Sequence, residues 1–343
     1  VKIAIVHAQP AARKGLAGII RQSDYQLAWC AADNTEAVDL NAVDAPDVIL
    51  MDAQMDAAGI IRRILQQNPC PILMVTDSIE KHADLVFKAM GAGAVDAVAV
   101  PEIKHAAETV LKKIARLGLL SHSVGKIDAT VHTGIPSNEP GYQHMVIIGC
   151  SSGGPTAVAS LLARLPANYH SPVVVLQHIN AEFAPHLATW LDEKTPLQVK
   201  IAQTGDRLAA GLVYIAASGN HLVMNQEYKL YYNVEPRETY YRPSVDVFFH
   251  SVAKHWSNPL TAILLTGMGR DGAQGLLELR EVGAYTIAQD EHTSAVYGMP
   301  KAAARMGAAV DILPIQKISY VLNETALETA KQCKIRRSRG VNV

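Results

Sequence analysis

Two α/β domains, each a doubly wound parallel sheet, are what this sequence predicts. Three observations carry that reading. Short continuous apolar runs alternate with amphipathic stretches, the mark of strands covered by helices on both faces. The alternation stops between Leu119 and His144, where SHSVGKIDATVHTGIPSNEPGYQH has no sustained period, and then resumes. The chain has 343 residues, 49% of them apolar, which is enough for two cores of ordinary size. The expected organisation is a first domain over 1–117, a linker over 118–143, a second domain over 144–332 and a basic tail over 333–343.

In the first domain Lys2–Val6 (KIAIV) reads as a strand and Ala11–Ile20 as a helix. Asp47–Met51, Ile72–Val75 and Ala94–Val100 read as further strands, and a helix is expected from about His105 to Leu117. In the second domain the strands are MVIIG (Met145–Gly149), VVVLQ (Val173–Gln177), VYIA (Val213–Ala216), TAILLT (Thr261–Thr266) and AYTIAQ (Ala284–Gln289). A helix over Pro155–Leu165 follows the first of them, and an amphipathic helix near Ile315–Thr329 closes the series.

Composition disfavours several classes. Lys plus Arg is 31 against 32 Asp plus Glu, so no general field attracts nucleic acid or an acidic membrane. Aromatic residues are 6% of the chain, too few for a base-stacking surface. No apolar run reaches the ~18–20 residues that span a bilayer. Cys30, Cys70, Cys150 and Cys333 are scattered, with no Cys/His cluster at metal-ligand spacing, so no structural metal is expected. The N-terminus carries no secretory signal pattern, and a cytoplasmic protein is expected.

Three strand-end loops of the second domain carry chemistry. Gly149-Cys150-Ser151-Ser152-Gly153 matches G-x-S-x-G, which holds a serine on a tight strand-to-helix turn. A small-residue turn or a phosphate loop is the alternative there. His178 follows VVVLQ, and a loop histidine is more often structural than catalytic. Asp271 lies in Leu265-Thr266-Gly267-Met268-Gly269-Arg270-Asp271-Gly272, where a helix cap is the alternative. The combination says more than the parts, because sites in open parallel sheets form beyond the carboxyl ends of the strands. Ser151 as nucleophile, His178 as base and Asp271 as orienting carboxylate make a triad in the chain order Ser, His, Asp. It predicts Ser151 Oγ within about 3.3 Å of His178 Nε2, and a rate that falls as His178 is protonated below about pH 6–7. A rival reading takes Gly267–Gly272 as G-x-G-x-x-G with Asp290 beyond it, a dinucleotide site. Against it, Asp271 would set a negative charge where the pyrophosphate should lie.

The stretches IIGCSSGGP, LQHI, RPSVDVFFHSVA (Arg242–Ala253), ILLTGMGRDGAQGL (Ile263–Leu276), TIAQDE and VYGMPKAA (Val296–Ala303) resemble the catalytic domain of CheB-type protein-glutamate methylesterases of bacterial chemotaxis. The resemblance covers nearly the whole second domain. It implies hydrolysis of glutamate γ-methyl esters on methyl-accepting chemoreceptors with release of methanol, no cofactor, and in some members deamidation of receptor glutamines. The implied partners are the cytoplasmic helices of those receptors and a chemotaxis histidine kinase. The family's catalytic serine, histidine and aspartate fall on Ser151, His178 and Asp271. Ser152 stands where many members have Thr, Met268 is placed to lend its backbone N–H to an oxyanion, and Arg242 is a site-shaping candidate with an ordinary ion pair as its alternative.

The first domain resembles a response-regulator receiver of flavodoxin-like fold, with departures. Asp52 matches the phosphorylated aspartate and Thr76 the switch hydroxyl. The acidic pair that should hold Mg²⁺ falls on His7 and Ala8, the lysine on Val100 before Pro101, and the aromatic switch on Ala97. A phosphoryl group on Asp52 would lack most of its neutralising charge, so a pseudo-receiver is expected. Asp56 or Asp77 supplying the metal contacts is the alternative. At the level of the whole chain, a non-catalytic module that binds receptor or kinase is the competing function.

Overall fold

The computed structural model describes residues 1–55, 57–100, 107–118, 144–217 and 219–325. The expected linker beyond residue 118, the basic tail, Asp56 and Pro101 lie outside the described residues. The chain divides into two compact units.

The first unit runs β1 (Lys2–Val6), α1 (Pro10–Arg21), β2 (Gln26–Ala31), α2 (Asn34–Val43), β3 (Val48–Asp52), α3 (Ala58–Gln67), β4 (Ile72–Thr76), α4 (Ile79–Ala92), β5 (Asp96–Ala99) and α5 (Ala107–Gly118). All pairings are parallel, in the order β2-β1-β3-β4-β5. Strands β3 and β4 are buried at every residue, which is why their sequences are unbroken apolar runs. Strand β2 is not among the expected strands. It lies at the sheet edge with Gln26 exposed and three more residues half-buried, and its apolar run Leu27–Ala31 (LAWCA) has no β-branched residue to mark it as a strand. Helix α2 starts where Asp33 accepts from the Thr35 and Glu36 amides at 2.9 Å, while Glu36 reaches back to the Ala32 amide.

The second unit runs β6 (Met145–Cys150), α6 (Gly154–Leu162), β7 (Val173–Gln177), α7 (Ala184–Asp192), β8 (Gln198–Ile201), β9 (Leu212–Ile215), β10 (His221–Met224), β11 (Leu230–Asn233), α8 (Val245–His255), β12 (Leu260–Leu264), α9 (Ala273–Glu281), β13 (Tyr285–Gln289), α10 (Met299–Arg305), β14 (Asp311–Leu313) and α11 (residues 315–325). Seven parallel strands are ordered β14-β13-β12-β6-β7-β9-β8. The chain enters at the central strand β6, fills one side through β7, β9 and β8, and returns to fill the other from β12 outward. The direction of winding therefore reverses beside β6, and a crevice opens there beyond the strand ends. An antiparallel hairpin, β10–β11, stands apart from the sheet. Five of these strands are visible in the sequence; β8, β14 and the hairpin, three or four residues each, are not among the expected strands.

The main core of this unit lies between sheet and helices, with Ile147, Val174, Leu176, Ala262 and Leu264 facing Val245, Phe248, Phe249, Val252 and Leu276, all buried. Those side chains seat α8 and α9 against the sheet. Helix α8 is the element that the functional site leans on.

Candidate active site

Strand ends β6, β7 and β12 adjoin in the sheet, and each carries one of the expected residues into the loop beyond it. Ser151 follows β6, His178 follows β7 and Asp271 follows β12. The backbones are tied together: the Ser151 amide donates to the Thr266 carbonyl at 3.0 Å, and the His178 amide to the Cys150 carbonyl at 3.0 Å.

The serine turn is clamped from two sides. Gln177, buried at the end of β7, donates through Nε2 to the Ser151 carbonyl at 2.8 Å, while its Oε1 accepts from Cys150 Sγ at 3.0 Å. A Cβ on Gly154 would lie 2.0 Å from Gln177 Oε1, so this glycine makes room for the clamp. On the other side a Cβ on Gly267 would lie 2.8 Å from Ser151 Cβ and 2.9 Å from its amide nitrogen. The Gly-Met-Gly turn therefore lies directly against the serine. The Met268 amide in that turn donates to no carbonyl among the described residues. Ser152 is buried, and its carbonyl accepts from Thr266 Oγ1 at 2.9 Å. Cys150 is fully buried, and burial pushes its thiol far above the usual range, so it is not a competing nucleophile.

His178 Nε2 lies 2.7 Å from Asp271 Oδ2, and both side chains are nearly buried. The sequence expectation pairs Nε2 with the serine; the structure gives Nε2 to the carboxylate instead. That leaves Nδ1, which is buried and has no hydrogen-bond partner among the described residues. The ring lies flat on Tyr241, with centroids 3.9 Å apart and planes within 2°.

Asp271 is held by the start of α8. Its Oδ1 accepts from Ser244 Oγ at 2.7 Å and from the Asp246 amide at 3.1 Å, and its Oδ2 accepts from the Val245 amide at 2.7 Å. Burial alone would raise this carboxyl. The His178 hydrogen bond and charge, with the Val245 and Ser244 donors, outweigh it and hold Asp271 below the usual carboxylate range. The favourable end of the α8 dipole adds to the same effect. Asp246 answers in the opposite direction: its Oδ1 accepts from the Gly275 amide at 2.7 Å, and it also takes the Gly272 amide. Burial, aided by the Asp271 charge, pushes Asp246 up to about 6. The two helices thus exchange caps through two facing carboxylates.

This exchange disposes of the dinucleotide reading. The N-terminus of α9, where a pyrophosphate would sit, is already occupied by the Asp246 carboxylate, and Asp271 turns into the protein. Arg242, the other candidate, is exposed and donates to the Arg237 carbonyl within its own loop. Gln177, Tyr241, Ser244 and Asp246 are parts of the site that sequence reasoning misses. Asp246 and Ser244 do stand inside the long stretch RPSVDVFFHSVA, the one signal that could draw attention to them.

In the first unit Asp52 is 2% exposed at the end of β3. His7 fills the position of the missing acidic pair, with Nδ1 3.2 Å from Asp52 Oδ2, and the Gln54 amide donates to Oδ1 at 2.9 Å. Burial pulls the His7 ring below the usual histidine range, against the opposing pull of Asp52. Thr76 Oγ1 donates to the Ser78 carbonyl at 3.0 Å and lies 3.2 Å from His82 Nδ1. Asp77 points to the same His82 at 3.1 Å. Val100 is buried where a lysine would be needed, and Lys113 of α5 is paired with Asp96 at 2.7 Å.

An open parallel sheet that brings a serine, a histidine and a buried carboxylate to adjoining strand ends has the layout of a serine-centred hydrolase. Residues 146–322 match the CheB methylesterase family, and residues 3–114 the response regulator receiver domain. The chain belongs to the CheB methylesterase family. It is 44% identical over 330 residues to a protein-glutamate methylesterase/protein-glutamine glutaminase of Bordetella avium, covering 93% of this chain and 95% of that one. A protein of the same name from Mesorhizobium japonicum is 43% identical over 330 residues, covering 93% of this chain and 96% of that one. The crystal structure of the Thermotoga maritima CheB methylesterase catalytic domain is 34% identical, with a TM-score of 0.52, and covers 54% of this chain and 99% of that domain.

Proposed function

We propose that this chain hydrolyses glutamate γ-methyl esters on the cytoplasmic helices of chemoreceptors, releasing methanol, and so acts in the cytoplasm in chemosensory adaptation. The observation that carries the mechanism is the imidazole of His178, fixed through Nε2 by a buried carboxylate and left with one nitrogen without a partner among the described residues. Nδ1 takes the proton from Ser151 Oγ as the oxygen attacks the ester carbonyl. Asp271 stabilises the imidazolium that results. The Met268 amide and the N-terminus of α6 receive the negative charge that develops on the carbonyl oxygen. His178 returns the proton to the departing methoxide, methanol leaves, and water attacks the acyl-serine by the same route in reverse. A primary amide in place of the ester would lose ammonia, which is the glutaminase reaction that the relatives' names include.

The receiver unit regulates by contact and not through Asp52 phosphate. With His7 against one carboxylate oxygen and the Gln54 amide on the other, Asp52 is engaged on both sides. A chemotaxis kinase is then a docking partner of this unit and not its phosphodonor. The direct test of the activity is methanol release from methylated receptor membranes by the full chain. Release that stops when the membranes are pre-stripped of methyl ester supports the proposal; no release from fully methylated membranes overturns it.

A further inference from the structure

Tyr241 stands outside every motif that led to the site, yet it covers one face of His178. Its hydroxyl lies 3.3 Å from where a Gly269 side chain would begin, so the same residue spans from the imidazole to the Gly267-Met268-Gly269 turn. Behind it Tyr240 packs edge-on at 5.0 Å, and Tyr240 itself is 67% exposed. The segment that bears both tyrosines leads directly into Ser244 and α8, which hold Asp271. One continuous stretch, residues 241–246, therefore holds the base by its face and the orienting carboxylate by its oxygens.

We propose that Tyr241 is a positioning residue for the hydrolysis, acting through His178 in two ways and resting on the reading of that histidine as the base. It fixes the plane of the ring so that, with Nε2 on Asp271, Nδ1 is presented in one direction only. It also lays the electron-rich face of its ring on the imidazole, which favours the imidazolium that forms as Ser151 gives up its proton. Asp271 acts on the edge of that ring, with Asp246 behind it on α8, and Tyr241 acts on the face.

The test compares Tyr241→Phe with Tyr241→Leu in the full chain, reading kcat, KM and the acid limb of the rate profile on methylated receptor membranes. A face-on stack of this kind corresponds to a change of about three- to thirty-fold in kcat. Tyr241→Leu should lose that factor and move the acid limb to lower pH, because the imidazolium has lost its support; Tyr241→Phe should restore both. A folded Tyr241→Leu protein with wild-type kcat and an unmoved acid limb overturns the proposal. If the Leu variant does not fold, proton NMR of the wild-type chain decides: His178 ring protons shifted upfield by the aromatic face support the stack, and unshifted ones contradict it. His178→Gln separates the role of Tyr241 from that of the base. An inactive His178→Gln protein keeps the histidine as base, and the Tyr241 variants then decide what the stack contributes. Wild-type activity in it removes the base and this proposal together.

Discussion

At the residue scale, the ionisable groups of the catalytic unit divide by what surrounds them. Asp271 is buried among donors and stays charged; Asp246, close by, is buried against that charge and rises. Among the described residues His144 has no charged partner. Its ring is 2% exposed between Ser171 Oγ and Thr261 Oγ1, each at 2.9 Å, and burial pulls it down to about 4. A histidine depressed in the folded state binds its proton more readily when unfolded. Its contribution to stability is thus complete above about pH 6.5 and is lost as pH falls towards 4. The shift is worth about 3 kcal/mol at most. Thermal unfolding should show the catalytic unit losing stability through that window, and His144→Gln should flatten the loss. A His144→Gln protein with the wild-type slope would show that other groups govern it. The same physics explains which site residues are legible. Ser151, His178 and Asp271 sit at strand ends, a position that a sequence pattern reveals. Gln177 and Tyr241 act through contacts with loops distant in the chain, and no local pattern records such contacts. The choice of ring nitrogen depends on them too, which is why sequence reasoning alone assigns Nε2 to the serine.

At the scale of elements, the site depends on three turns meeting with almost no space between them. Gly267 has no room for a side chain, since a Cβ there would lie 2.3 Å from Met299 Sδ and 2.8 Å from Ser151 Cβ. Gly267→Ala should leave the sheet intact and push the serine or the Met268 amide out of line, and misplacement of about 1 Å costs on the order of a hundredfold in rate. Methanol release from that variant, beside its unfolding temperature, checks this; a folded variant with wild-type turnover would mean that the turn can move aside. The strands that build this arrangement are readable because buried parallel strands are uniform apolar runs. Strand β2 escapes because its apolar run LAWCA has no β-branched residue, and β8 and β11 because most of their residues are exposed or half-buried. The reversal of winding beside β6 is not legible at all. Strand order is set by how helices pack across the sheet, and the sequence holds no linear trace of it.

At the scale of the molecule, two units of the same fold class keep different amounts of chemistry. The first unit has the five-stranded layout of a receiver, with a histidine set against its aspartate and a valine in place of its lysine. Incubation with a small-molecule phosphodonor and Mg²⁺ should leave Asp52 unlabelled. Stoichiometric labelling that Asp52→Ala abolishes would contradict the pseudo-receiver. The net charge of −1 gives no long-range attraction to steer the chain to a partner, so the proposed docking to a receptor would have to come from local surfaces. No helix among the described residues is long and apolar enough to cross a membrane. The second unit carries the whole of the proposed hydrolysis, and all of it passes through one oxygen atom. Methanol release from methylated receptor membranes by Ser151→Ala, set against wild type of equal unfolding temperature, tests that most directly. The variant should bind its substrate and release no methanol above the uncatalysed rate; turnover within a few-fold of wild type would contradict the role of Ser151.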